Sequence, residues 1–180
     1  MTSICNSEKL LGNDMLQLRA MEPEDLQILY EWENDTDLWQ SGSTRAPYSR
    51  YVLKRYIEES YKDIYESKQL RLMIELIDGT AVGIVDLFDF DPYNMRAEVG
   101  ILVYPIYQGR GIATQAIELL KKYAFEFLNI HQLYAYVSAD NEHSLALFEK
   151  CGFTISGTLK AWTKTKDGYQ DTYVAQCVND

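Results

Sequence analysis

The segment YPIYQGRGIATQAIELL, residues 104–120, crowds Gly109, Arg110 and Gly111 between an apolar strand-like run and an apolar helix-like run. A glycine-lined turn that opens a helix leaves the first backbone N–H groups unpaired and sets the positive end of the helix dipole beside them, and the two together attract an anion. Phosphate is the natural guest. Gly109 and Gly111 let the backbone approach where a Cβ would intrude, and Arg110 could add charge. The same residues also suit a plain tight turn before a core helix. GxxxxGK[ST] is absent, which argues against a nucleoside triphosphatase loop. GRGIAT is only GxGxxT, with no acidic residue at the spacing a nicotinamide dinucleotide fold requires. His131 and His143 lack an HExxH setting, and Cys5, Cys151 and Cys177 form no CxxC pair. The residues therefore offer little to metal hydrolysis, a His-based triad, a zinc site or a disulfide framework, and no metal is expected.

The elements that must position this turn can be read from periodicity. MLQLRAM (15–21) alternates like a strand, and Pro23 suits the first turn of a helix expected to reach Glu33. A polar loop follows between Asn34 and Pro47. Apolar residues at 52, 53, 56, 57, 61, 64 and 65 then recur at helical spacing. QLRLMIELIDGTAVGIVDLFDF holds two β-rich runs joined by Asp78-Gly79, and DPYNMR turns into the strand AEVGILV. Residues 112, 116, 119, 120, 123 and 127 share one face of a long core helix expected to run to about Leu128. QLYAYVS reads as a strand, NEHSLALFEKC as a short helix ended by Gly152, and two last strands flank the Lys166-Asp167-Gly168 turn. The expected fold is a mixed α/β (α+β) sheet of six to seven strands with helices on both faces. It begins as a meander and contains one strand–helix–strand crossover that carries the glycine turn.

With 180 residues and 47% hydrophobic composition, the chain fits one compact domain burying roughly 70% of its unfolded surface. Residues 1–14 are expected to be an N-terminal extension and residues 15–180 the domain. MTSICNSEKLLGND lacks the features of a signal peptide and no run of 18 apolar residues occurs, so a cytoplasmic chain is expected. The formal charge of -10 disfavours nucleic acid and anionic membranes as partners and would attract a cation.

Gln108, Gly111 and Ala113 form Q-x-x-G-x-A, and NEHSLALFEKCGF follows some thirty residues on. On this pair of motifs the chain resembles the GNAT superfamily of acyl-CoA N-acyltransferases, from about Met15 to Cys177. The resemblance implies that acetyl-CoA is the cosubstrate, with its pyrophosphate in the turn formed by Gln108, Gly109, Arg110, Gly111, Ile112, Ala113 and Thr114. It implies that the strand backbone of Ile101, Leu102 and Val103 bonds the pantetheine arm and polarises the thioester carbonyl. Asn141, Ser144, Phe148 and Lys150 would line the coenzyme's other side. Phe148 departs from the pattern: many members carry a tyrosine there, whose hydroxyl protonates the departing thiolate. Water or another tyrosine would have to do so here.

An alkyl amine with a pKa near 10 is protonated at neutral pH, so a base must act before it attacks a thioester. Glu98 is the candidate, because it matches an acidic position that faces the acceptor in related polyamine acetyltransferases. MRAEVGILVYPIYQGRGIA and FEFLNIHQLYAYVSADNEHSLALFEKCGF resemble the bacterial spermidine/spermine N-acetyltransferases most. The ribosomal-protein N-terminal acetyltransferases come next. The acceptor is thus expected to be a small-molecule or peptide amine, first of all a polyamine. Asp86, Asp89 and Asp91 are further candidates to meet a polycation. A non-catalytic acyl-CoA-binding module and a homo-oligomer are both compatible with these residues.

Overall fold

The computed structural model describes residues 10–39 and 46–179; Cys5, most of the expected N-terminal extension and the middle of the Asn34–Pro47 loop lie outside the described residues. Strand β1 (Leu16–Arg19) leads through a tight turn at Pro23–Asp25 into α1 (Leu26–Glu33), α2 (Thr36–Trp39), α3 (Arg50–Glu58) and α4 (Ile64–Ser67). The meander of β2 (Leu70–Leu76), β3 (Ala81–Asp91) and β4 (Arg96–Val103) comes next. Helix α5 (Ile112–Lys122) crosses to β5 (Gln132–Ser138), then α6 (Glu142–Lys150) precedes the long hairpin of β6 (Thr154–Thr165) and β7 (Gly168–Val178).

The seven strands lie in the order β1-β2-β3-β4-β5-β7-β6, antiparallel except at β4–β5. Alternation along the strands divides the core between two faces. Leu72, Ile74, Val85 and Leu87 turn toward α5, whose Ile112, Ala116, Ile117 and Leu120 are buried against them. Met73 and Ile84 turn the other way and meet Leu29, Trp32 and Ile57 from α1 and α3. Each such fully buried aliphatic side chain contributes about 1.5–3 kcal/mol relative to exposure.

Three helical expectations change. The stretch from residue 50 to 67 is broken in two: the Ser60 hydroxyl donates to Ile57 O at 2.7 Å, and Asp63 restarts the chain as α4 by accepting Glu66 N–H at 2.9 Å. Of its apolar stripe only Leu53, Ile57 and Ile64 are buried, whereas Tyr61 is 81% exposed. The crossover helix widens after Lys122 into a π-turn over Tyr123–Phe127, closed by Leu128 N–H to Tyr123 O at 3.1 Å. The added residue per turn rotates the apolar stripe, so Ala124 fills the core while Phe127 stacks on Tyr123 and stays 61% exposed. The polar loop after Asn34 contains the short helix α2. None of the described helices is long and apolar enough to cross a membrane.

Candidate active site

Strands β4 and β5 pair only through Arg96–Gln132, Ala97–Leu133 and Glu98–Tyr134. Beyond Glu98 and Tyr134 they part, β4 staying with β3 and β5 with β7. Tyr104 N–H donates to Val82 O at 2.9 Å, so by antiparallel alternation Leu102 bonds toward β3 while Ile101 and Val103 turn their N–H and C=O groups into the opening. Of the three β4 residues singled out in the sequence, two thus offer backbone groups to the gap and Leu102 does not. Gly83 lets β3 approach this strand: a Cβ there would lie 2.1 Å from Leu102 O.

The glycine turn closes one end of the opening. Gly109 and Gly111 adopt φ of 74° and 78°, the left-handed region that favours glycine, and a Cβ at Gly111 would meet nothing within 4 Å. The first bond that closes α5 runs from Gln115 N–H to Gly111 O at 3.1 Å, which leaves the N–H groups of Ile112, Ala113 and Thr114 without a helical partner. The cradle therefore fits a pyrophosphate, with open space at the glycine and free donors at a helix start. Gln108 turns its amide back, Nε2 donating to Val103 O at 2.8 Å, and so ties the turn to the strand beside the gap. Arg110 folds over the Tyr107 ring, and its Nη2 donates to Ile106 O at 3.0 Å.

Helix α6 borders the same region. Asn141 is its N-cap, its side-chain oxygen accepting Ser144 N–H at 3.0 Å. At the other end Lys121 of α5 donates through Nζ to Cys151 O, placing a cation on the last carbonyls of α6 and binding the two helices together. Phe148 is buried edge-to-face against Phe153, with centroids 5.0 Å apart, whereas Lys150 is exposed. Burial pushes the Cys151 thiol up to about 11, which keeps it protonated at neutral pH.

Glu98 occupies the point where the strands part. Its neighbours Ala97 and Val99 belong to the core on the α5 side, so its carboxyl lies on the opposite face. Among the described residues no hydrogen bond or ion pair reaches that carboxyl. Burial first, and the Asp89 charge second, push its pKa up to about 7. Tyr134, its partner across the last parallel pair, is pushed up to about 12 by burial, then by the charges of Glu98 and Asp89.

The three aspartates separate. Asp86 is held by Arg71, whose Nε and Nη2 donate to it at 2.7 and 3.0 Å while Nη1 donates to Glu33 at 2.6 Å. Asp91 closes its own turn by accepting Tyr93 and Asn94 N–H. Only Asp89, exposed on an irregular stretch of β3 with φ of 48°, acts on Glu98. Sequence reasoning missed Tyr134, Lys121 and Arg71. Period-two counting along QLYAYVS sets Tyr134 and Tyr136 on one face, but the parallel register that brings Tyr134 to Glu98 has no local signal.

The pattern described as an acetyltransferase (GNAT) domain matches residues 15–154. The chain is similar to spermidine N(1)-acetyltransferase of Escherichia coli K12, with 32% identity over 145 residues, 80% of this chain and 75% of that protein. It is 29% identical over 164 residues to YdaF of Bacillus subtilis, a ribosomal N-acetyltransferase-like protein, covering 87% of this chain and 84% of that one. Among solved structures, spermidine N-acetyltransferase of Vibrio cholerae in complex with CoA and spermine superimposes with a TM-score of 0.82 at 28% identity, covering 92% of this chain and 96% of that chain. The glycine turn at a helix start, the parted strands and these likenesses agree: the chain belongs to the GNAT family and is an N-acetyltransferase that takes its acetyl group from acetyl-CoA.

Proposed function

We propose that the enzyme acetylates a polyamine such as spermidine, with Glu98 as the base that takes the proton from the attacking amine. The observation that carries this reading is the Glu98 carboxyl itself, shielded, unpartnered among the described residues and raised to about 7 at the mouth of the parted strands. A primary ammonium near 10 gives its proton to a carboxylate near 7 at a cost of about 4 kcal/mol, against about 7.5 kcal/mol for an ordinary glutamate. Raising the base therefore removes close to half of the penalty and still leaves about half of Glu98 ionised at pH 7. Asp89, next to it and exposed, offers a second negative charge to a substrate with more than one ammonium group. The similarity to spermidine acetyltransferases of two species supports the substrate class.

Acetyl-CoA supplies the activated acyl group when bound. Toward it, the N–H groups of Ile112, Ala113 and Thr114, with Gln108, Gly109, Arg110 and Gly111, hold the pyrophosphate. Ile101, and Val103 through its N–H since Gln108 already donates to its carbonyl, offer backbone groups to the pantetheine arm and the thioester carbonyl. Asn141, Ser144, Phe148 and Lys150 border the other side. The chain acts in the cytoplasm as a homo-oligomer. For the latter, the exposed Ile155 and Trp162 on edge strand β6 and the dodecameric structure of the Vibrio cholerae enzyme give support.

Acetyl-CoA turnover measured across spermidine, spermine, putrescine and N-terminal peptides tests the reading. Spermidine or spermine turns over fastest if it is right. The likeness to YdaF favours the second reading, N-terminal acetylation. Turnover confined to peptides would establish that one, and tight coenzyme binding without turnover of any amine would mark a binding module.

A further inference from the structure

Loss of coenzyme A from the substrate leaves a thiolate that needs a proton, and Phe148 has none to give. Its ring is buried on the α5 side against Phe153. We propose that the Tyr134 hydroxyl gives the departing thiolate its proton and is refilled at once by Glu98, so that one carboxyl serves the amine first and the thiolate second; this rests on Glu98 being the base.

Four observations point to Tyr134. It is in register with Glu98 at the last parallel pair before β4 and β5 part, so the two side chains stand next to each other at the opening. Leu133 and Ala135 on either side are buried in the α5 core, which turns Tyr134 onto the face that carries Glu98. An edge-on contact with Tyr136, centroids 5.6 Å apart, orients the ring. Among the described residues no hydrogen bond occupies its hydroxyl. Of the neighbouring hydroxyls on β5, Ser138 donates to Asp140 at 2.7 Å and Tyr136 is 47% exposed.

The acidities explain why the two groups must act together. A phenol near 12 that protonated a thiolate of ordinary acidity, near 8.5, without being refilled would work against an equilibrium of more than about 10³-fold. Refilled from a carboxyl near 7, the net transfer is favourable by roughly 30-fold. Asp89 from β3, Arg96 from β4 and Tyr136 from β5 are the other charged or titratable groups around the pair. The one cation among them, Arg96, is engaged by Asp91 at 3.3 Å.

The protons balance. The ammonium loses its first proton through Glu98 to solvent. As the C–N bond forms, Glu98 takes the second. As the C–S bond breaks, its electron pair goes to sulfur, the Tyr134 proton follows it, and the Glu98 proton refills Tyr134. An amide and a free thiol leave, with Glu98 ionised and Tyr134 protonated as at the start.

Tyr134→Phe keeps the ring and removes the relay. With acetyl-CoA its kcat should fall about 10- to 100-fold at unchanged KM for the amine. With an acetyl aryl thioester, whose much more acidic thiol leaves without a proton, it should match the wild type. In the complex with coenzyme A, followed by thiolate absorbance in the ultraviolet, the thiol should titrate at higher pH in the variant than in the wild type, because the phenol no longer stabilises the anion. Equal loss with both donors, an unchanged rate with acetyl-CoA, or an unmoved thiol titration overturns the relay. Should Tyr134→Phe fold poorly, difluorotyrosine at 134 keeps the shape and acidifies the phenol. It should move the alkaline limb of the kcat profile to lower pH, and an unmoved limb has the same overturning force. Glu98→Gln separates the two readings. If it is slow with both donors while Tyr134→Phe is normal, only the relay falls; if it is normal with both, the base itself is wrong.

Discussion

At the level of single residues, the burial that raises the Glu98 pKa also makes its charge costly. Glu98→Gln is expected to lower turnover by roughly 10²-fold or more and to leave coenzyme A affinity, read by calorimetry, unchanged. Wild-type kcat should rise with pH through about 7 as the carboxyl ionises. The stability consequence has the reverse direction. A carboxyl raised in the folded state stabilises most at acid pH, below its unfolded value, and that contribution disappears as pH climbs through 7. Glu98→Gln should therefore melt higher than the wild type in mildly alkaline buffer and gain nothing in acid. Thermal melts at both pH values check this, and an equal shift at each would mean that Glu98 is not held at a raised pKa. That Glu98 is chemically interesting was visible in the sequence only through family likeness, because a carboxylate at a strand start is ordinarily a solvated surface group. Its raised pKa needs Asp89 and a shielded wall, and neither follows from local order along the chain.

Among the elements, the glycine turn was the most legible feature. Glycine spacing and the apolar helical stripe are local properties, and the structure places both glycines in the left-handed region at a helix start. Gly111→Val separates strain from ligand exclusion, since a Cβ there meets no protein atom within 4 Å. Stability should drop by about 1–2 kcal/mol from the positive φ, whereas coenzyme A affinity should fall well beyond that; unchanged affinity in a calorimetric titration would place the phosphate elsewhere. Gly83 was not legible at all, because its constraint comes from another strand. Gly83→Ala would push on the Leu102 carbonyl and should cost about 3 kcal/mol or more in denaturant unfolding, with loss of coenzyme binding as β4 shifts. The helices failed in the same informative way. Tyr61 and Phe127 fit an apolar stripe by number yet lie outside the core, since a cap at Asp63 and a π-turn after Lys122 each reset the helical phase.

For the whole molecule, the charge of -10 and the exposed Asp89 imply long-range attraction for a polycation. Added salt should therefore raise KM for spermidine more than KM for acetyl-CoA, and equal sensitivity would remove electrostatic steering from the account. By itself the sequence determined the order of the strands, the three turns that join consecutive antiparallel strands, the crossover and the glycine turn that opens α5, because each depends on residues a few places apart along the chain. Tertiary structure decided where β4 and β5 part, which of Ile101, Leu102 and Val103 turn backbone groups into the opening, and that Asp86 is consumed by Arg71 while Asp89 reaches Glu98. It also set Tyr134 beside Glu98. Those outcomes follow from register between strands 36 residues apart in the chain at Glu98 and Tyr134, and register is fixed by burying one face of each strand against helices that the strand's own sequence does not contain.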